Sequence, residues 1–120
     1  MTIEQVVIDY YPKVDASDID WVLNIFADES CYVRADAIYA TKQEITDFYN
    51  NDRKISGKHS IKNLTLNSEN VIAVNGVFKG VGADGAAKDI GFSDFWTFDK
   101  NGKVTLRETY LAAGANYVKD

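Results

Sequence analysis

After Gly57 the sequence stops repeating at a helical period and breaks into four segments of strand character, and this change constrains the fold more than any other feature. The segments are HSIKNLTLN (59–67), NVIAVNGVFKG (70–80), KDIGFSDFWTFD (88–99) and KVTLRETYLAA (103–113). Asn67-Ser68, Ala83-Asp84-Gly85 and Lys100-Asn101-Gly102 separate them, all residue types that favour tight turns. Connections this short join antiparallel neighbours, because a parallel crossover needs a much longer link. In the second segment Ile72, Val74 and Phe78 share a face with Gly76, which permits a close approach or a bend there.

The first half reads differently. TIEQVVIDYYPKVD opens with Thr2 and Gln5 in capping-box spacing, and Ile3, Val6, Val7, Tyr10 and Val14 follow at helical intervals. Pro12 is expected to kink this helix or loosen its last turns. In SDIDWVLNIFADE, Ser17 is the expected cap, Asp18 and Asp20 suit the positive helix end, and Ile19, Val22, Leu23 and Phe26 form the stripe. A third helix is expected at 41–51, with Thr41 and Glu44 as a second capping box and Ile45, Phe48 and Tyr49 buried. SCYVRADAIYA, between the second and third helices, reads as one or two short strands. Helices first and strands second predict an α+β domain, with three helices on one side of a curved sheet and a concave surface left over.

Composition narrows the partners. A chain of 120 residues forms one domain, 1–120, without disulfide or metal staples, and no repeat or linker divides it. A net charge of −5 argues against nucleic acid or an anionic membrane as partner. Cys31 is the lone cysteine, so no intramolecular disulfide forms, which fits a reducing compartment. Apolar runs are too short to span a bilayer, and MTIEQVV has no basic n-region, so a cytoplasmic protein is expected. One histidine, one cysteine and scattered carboxylates offer no metal-ligand spacing, and no P-loop, dinucleotide fingerprint or G-x-S-x-G elbow occurs. GVGADG lies between strands and reads as a hairpin turn. Neither metal nor cofactor is expected.

The chemistry-bearing residue that stands out is Asp94, in GFSDFWTFDKNGKV. A strand's period of two puts it on the face of Phe92, Trp96 and Phe98, where an unpaired carboxylate is costly. It must find partners, lose its charge or face a polar cavity. Arg34 would lower its pKa by reaching it, or would clamp a planar anion if it faced an open pocket. Arg107 is a possible partner for Asp94. Alternation sets Arg107 with Thr105, Thr109 and Leu111, and Glu108 with Val104, Leu106 and Tyr110, and a bulge would exchange the two faces. Tyr10 suits either the core or a pocket, whereas Tyr11, 100° round the helix, reads as packing. His59 is the one side chain that ordinarily titrates near neutrality. Trp96, Phe98, Phe92, Trp21 and Phe78 read as core, some of them also as pocket wall.

DIDWVLNIFADES, EITDFY, KHSIKNL, VNGVFKGVGADG and FSDFWTFDKNGKVTLRETYL, in this order, resemble the nuclear transport factor 2-like (NTF2-like) superfamily, especially its SnoaL-like branch, over almost the whole chain. The resemblance implies a conical fold in which a strongly curved, mostly antiparallel sheet wraps around three N-terminal helices and encloses an apolar pocket. Sheet-packed homodimers are common in that superfamily. Its members include isomerases, dehydratases, polyketide cyclases and proteins without known catalysis. Compared with ketosteroid isomerase, Tyr10 matches the oxyanion-hole tyrosine and Asp94 the protonated aspartic acid for which that enzyme is known. Arg34 falls where that enzyme has its general base, and a guanidinium cannot take a proton at neutral pH, so steroid-type isomerisation is not expected. Compared with scytalone dehydratase, Asp15 in DASDID and His59 match an acid–base pair. The second histidine of that enzyme has no counterpart, and Val14 replaces a tyrosine. On its own position Asp15, near a helix end, also suits a turn.

The expectation is a cofactor-independent domain that binds a small apolar or anionic molecule in its pocket. Catalysis, if present, would be enolate-type proton transfer through Asp94, Tyr10, His59 and Asp15. Arg34, Trp96, Phe98, Phe78 and Arg107 would bind the ligand. The alternatives are a binding or sensing protein, or an interaction module using the outer sheet face, where Phe95, Val71 and Val77 could also form a homodimer interface.

Overall fold

The structure, a computed structural model, describes residues 1–34 and 37–112. Helix α1 spans Ile3–Asp15, α2 Ile19–Asn24 and α3 Lys42–Asp47, and a π turn over Phe48–Asp52 extends α3. The strands are β1 (Phe26–Arg34), β2 (Ala37–Tyr39), β3 (Ser56–Ser68), β4 (Val71–Val81), β5 (Ala87–Phe98) and β6 (Val104–Ala112). Ala113, assigned by the sequence pattern to the last strand, lies outside the described residues.

The helix starts follow their capping chemistry. Thr2 Oγ1 accepts from the Gln5 amide at 3.1 Å, and Thr41 Oγ1 from the Glu44 amide at 3.1 Å. The reciprocal half of the box is missing from α1, where the Gln5 side chain donates to Asp9 at 2.8 Å instead. Pro12 does not end α1, which runs on to Asp15. Pro12 is exposed, so the carbonyl it leaves without a helical donor is on the wet side of the helix.

Two local expectations are corrected. The cap of α2 is Asp18, whose Oδ1 accepts from the Trp21 amide at 3.4 Å, while Ser17 sits in the left-handed region at φ 60°. Phe26, expected on that helix's stripe, instead opens β1. The strand pairs in parallel with β6, Tyr32 opposite Arg107, and antiparallel with β2. One curved, open sheet results, ordered β2-β1-β6-β5-β4-β3 and antiparallel except at β1–β6.

The three helices cover one face of this sheet. The buried faces of β4 and β5 alternate as their sequences do, with Ile72 opposite Trp96, Val74 opposite Asp94 and Phe78 opposite Ile90. A Cβ on Gly76 would stand 2.0 Å from the Ser60 carbonyl oxygen, beside the bulge between Ile61 and Asn63. The missing side chain lets β3 bend across β4 there. Trp96, Phe98, Val7, Val22, Ile45 and Ile72 are fully buried, each large apolar side chain contributing about 1.5–3 kcal/mol.

Candidate functional site

The concave face is filled by a polar cluster built around Asp94, which is 1 % exposed. Asp94 projects from β5 towards β6, where Thr109 is its register partner and Arg107 lies opposite Trp96. Its Oδ1 accepts from the Thr109 hydroxyl, and its Oδ2 accepts from the Tyr11 hydroxyl and from Arg107 Nη2, the last at 3.1 Å. Thr109 Oγ1 also lies 3.2 Å from the Tyr32 hydroxyl. A carboxylate holding three donors, one of them a guanidinium, is a satisfied ion pair. Of the outcomes open to it from the sequence, Asp94 takes the first and finds partners, with Arg107 rather than Arg34 as its cation.

Arg107 joins this pair to a cluster of phenols. Its Nη1 donates to Tyr10 at 2.6 Å and to Tyr49 at 2.8 Å, and its guanidinium carbon lies 4.6 Å from the ring centres of Tyr10, Tyr32 and Trp96. Burial alone would lower the Arg107 pKa, but Asp94 and the surrounding phenols outweigh it and hold the group charged. Burial pushes Tyr10 above the ordinary phenol range, partly offset by Arg107. Tyr49 rises well above that range through burial and then Tyr10, and Tyr11 through burial and then Asp94. All three stay protonated at neutral pH.

Counting protons gives Tyr10 a distinct capability. Its oxygen lies 2.6 Å from that of Tyr49, and a single proton fills that bond. The second phenol proton must point elsewhere. Tyr10 borders the cavity and Tyr49 is not among the residues that line it. Either oxygen can donate in that bond, and in the arrangement where Tyr49 is the donor the Tyr10 hydroxyl is left to donate into the cavity.

That cavity has a volume of about 130 Å³. Phe78 and Phe92 form its apolar wall together with Ile90 and Phe48. His59 stands on the same wall, its ring 4.7 Å from Phe78 and 5.3 Å from Phe92 between centres. Asp15, at the end of α1, holds it from behind: Oδ2 accepts from the His59 amide at 2.8 Å and Oδ1 lies 2.6 Å from Nδ1. An ionised Asp15 fixes the neutral tautomer that carries its proton on Nδ1, leaving the Nε2 lone pair for a ligand. Burial lowers the His59 pKa below 6.5, and Asp15 recovers only part of the loss. The imidazole is neutral at physiological pH.

The structure thus gathers Tyr10, His59, Asp94, Arg34, Arg107 and Phe78 around one cavity, with Asp15 behind His59. Arg34 borders it with its guanidinium 5.1 Å from the Phe48 ring centre. Trp96 and Phe98 are corrected from ligand contacts to core: Trp96 backs Arg107, and neither reaches the cavity. Tyr11 is corrected from packing to a ligand of Asp94. The sequence also left unmarked Tyr32, Thr109, Arg53 and Lys88, which border the cavity. Only the inward position of Thr109 two residues from Arg107 was available as a signal.

No protein-family model matches the chain, and no curated protein matches it by sequence. Its fold is nevertheless shared with solved structures. An NTF2-like protein of unknown function from Burkholderia pseudomallei superposes with a TM-score of 0.81 at 18 % identity, covering 99 % of this chain and 97 % of that one. The epoxide hydrolase/cyclase-like enzyme SalBIII, of pyran ring formation in the polyether salinomycin, gives 0.79 at 14 % identity over 92 % and 90 %. A ketosteroid isomerase-like protein from Erwinia carotovora gives 0.72 at 15 % identity over 94 % and 95 %. The chain has the NTF2-like fold.

Proposed function

We propose that this SnoaL-like domain is a cofactor-independent enzyme that moves a proton on a small carbonyl compound held in the cavity. The observation that carries the proposal is the meeting, in one cavity, of a neutral histidine oriented by Asp15 and a phenol backed by Arg107. His59 Nε2 removes a proton next to the carbonyl, and the Tyr10 hydroxyl hydrogen-bonds the oxygen on which negative charge gathers. Arg107, fixed by Asp94, supports Tyr10 from behind. The enolate then takes the proton back at another carbon, expels a leaving group or attacks a second carbonyl, giving isomerisation, elimination or cyclisation. The cavity is close to the roughly 150 Å³ that holds one benzene ring, which favours single-ring substrates. The cyclase-like and isomerase-like proteins that share the fold support this class of chemistry.

A non-catalytic binding domain is the second reading, favoured by the ion pairing of Asp94. The two separate by proton exchange in D2O, followed by ¹H NMR on a panel of cyclic ketones with and without a carboxylate. Catalysed loss of the α-proton signal, slowed about 100-fold or more by His59→Gln and by Tyr10→Phe, supports the enzyme. Compounds that bind but exchange no faster than in buffer overturn it in favour of the binder.

A further inference from the structure

The charges around the cavity do not resemble those of the whole chain. The protein carries a net −5, yet the cavity is bordered by Arg34, Arg53, Lys88 and Arg107 against a single carboxylate, Asp94. Asp94 is matched by Arg107. Arg53 and Lys88 therefore have no counter-charge in the cavity lining.

Arg53 and Lys88 come from distant parts of the chain. Arg53 follows the π turn, its backbone amide donating to the Phe48 carbonyl at 2.9 Å, and Lys88 lies near the start of β5 opposite Gly80. Both are half-buried, and neither forms an ion pair with another described residue. Lys88 lies within electrostatic reach of Asp84, a fully exposed hairpin carboxylate whose pKa is lowered first by its bond from the Ala86 amide and then by Lys88. Solvent screens such an exposed partner, so it competes weakly with a ligand inside the cavity. Arg53 lies close enough to lower the pKa of both Tyr10 and His59, which puts its charge beside the proposed reacting groups.

We infer that the cavity selects an anionic ligand, a single-ring carboxylate whose negative group docks on Arg53 and Lys88 while its ring lies against Phe78 and Phe92. The inference rests on this cavity being the ligand site and adds the substrate class. An arginine fork and an ammonium brought together from two elements suit a carboxylate, and low-dielectric walls strengthen the attraction. A cationic ligand would meet an uncompensated positive surface, and a neutral ring would leave the charges unused.

The test uses benzoate and benzamide, which match in shape and differ in charge, titrated into the whole protein by ¹H–¹⁵N NMR. Benzoate is expected to bind at least about tenfold more tightly than benzamide, with an advantage that shrinks as salt rises. Arg53→Gln combined with Lys88→Met is expected to bring benzoate to the level of benzamide while leaving benzamide unchanged. Equal affinities, no binding of either compound, or a benzoate preference that survives the double substitution would each overturn the inference. Benzoate has no α-proton, so these outcomes are independent of catalysis; a failure of proton exchange on neutral ketones would instead strike the proposed enzyme.

Discussion

Asp94→Asn is the substitution that most directly tests the organisation of the concave face. It keeps the shape and removes the charge. Asp94 accepts from Tyr11, Thr109 and Arg107 in the wild type, and the amide replacement offers one acceptor oxygen together with two donors. Thr109 can turn its hydroxyl to accept from that amide nitrogen and donate to Tyr32, so the loss falls on the charge that matched Arg107. Arg107, 5 % exposed, keeps its charge because a guanidinium cannot deprotonate at accessible pH. Breaking a buried pair from one side costs about 3–5 kcal/mol. In a domain of this length that is a fall in melting temperature of about 10–20 °C. Arg107→Met should cost less, because the stranded carboxylate can take up a proton and a guanidinium cannot lose one. Asp94→Leu with Arg107→Met should be milder than Asp94→Asn alone, since no charge is then left buried. Urea unfolding at pH 7, followed by far-ultraviolet circular dichroism, measures all three. A stability for Asp94→Asn within about 1 kcal/mol of wild type would refute the buried ion pair.

Three further outcomes follow from the same structure. His59 is the one histidine, so its ring ¹³C–¹H signal is unambiguous, and its NMR titration should have a midpoint below 6.5. Because its folded pKa lies below the unfolded value, the unfolded chain binds the extra proton, and the His59 contribution to stability is lost as pH falls below about 6.5; His59→Gln should lose less stability than wild type over that interval, and an equal loss would exclude the linkage. Gly76→Ala should cost about 1–3 kcal/mol in urea, because its Cβ would meet the Ser60 carbonyl at 2.0 Å, and a neutral effect would show that β3 does not cross so closely. Thr41→Ala should cost about 1 kcal/mol through loss of the cap on α3, with Thr41→Ser restoring most of it.

The sheet was legible because its signals are local. Turn residues, period-two alternation and the Gly76 gap each act within a few positions, and β3 to β6 fall within a few residues of where the pattern puts them. β1 was less legible because its partner is distant. DIDWVLNIFADE has helical spacing throughout, and Phe26 leaves the helix only because β6 offers it a strand to pair with. Pairing made after the chain closes overrides local propensity there. Tyr11 was misjudged for a related reason. A helix on a flat surface buries one stripe, but α1 lies in a concave sheet and buries both Tyr10 and Tyr11.

The candidate site shows where sequence reasoning loses resolution. A carboxylate between aromatic rings announces that it needs a partner, but the choice between Arg34 and Arg107 depends on which face β6 turns inward. Val104 and Arg107 are both buried although they lie three apart, so alternation is broken between them. No pattern in KVTLRETYL marks that break. The consequence reaches function. With Arg107 inward, both oxygens of Asp94 are already occupied, and its part is to fix the cation that supports Tyr10. In the proposed reaction the acid–base work falls to His59, the one group near neutrality whose lone pair is directed away from its Asp15 support. Asp94 and Arg107 accordingly act together as one structural unit, and the phenol and imidazole that they and Asp15 hold in place are the groups on which the proposed chemistry depends.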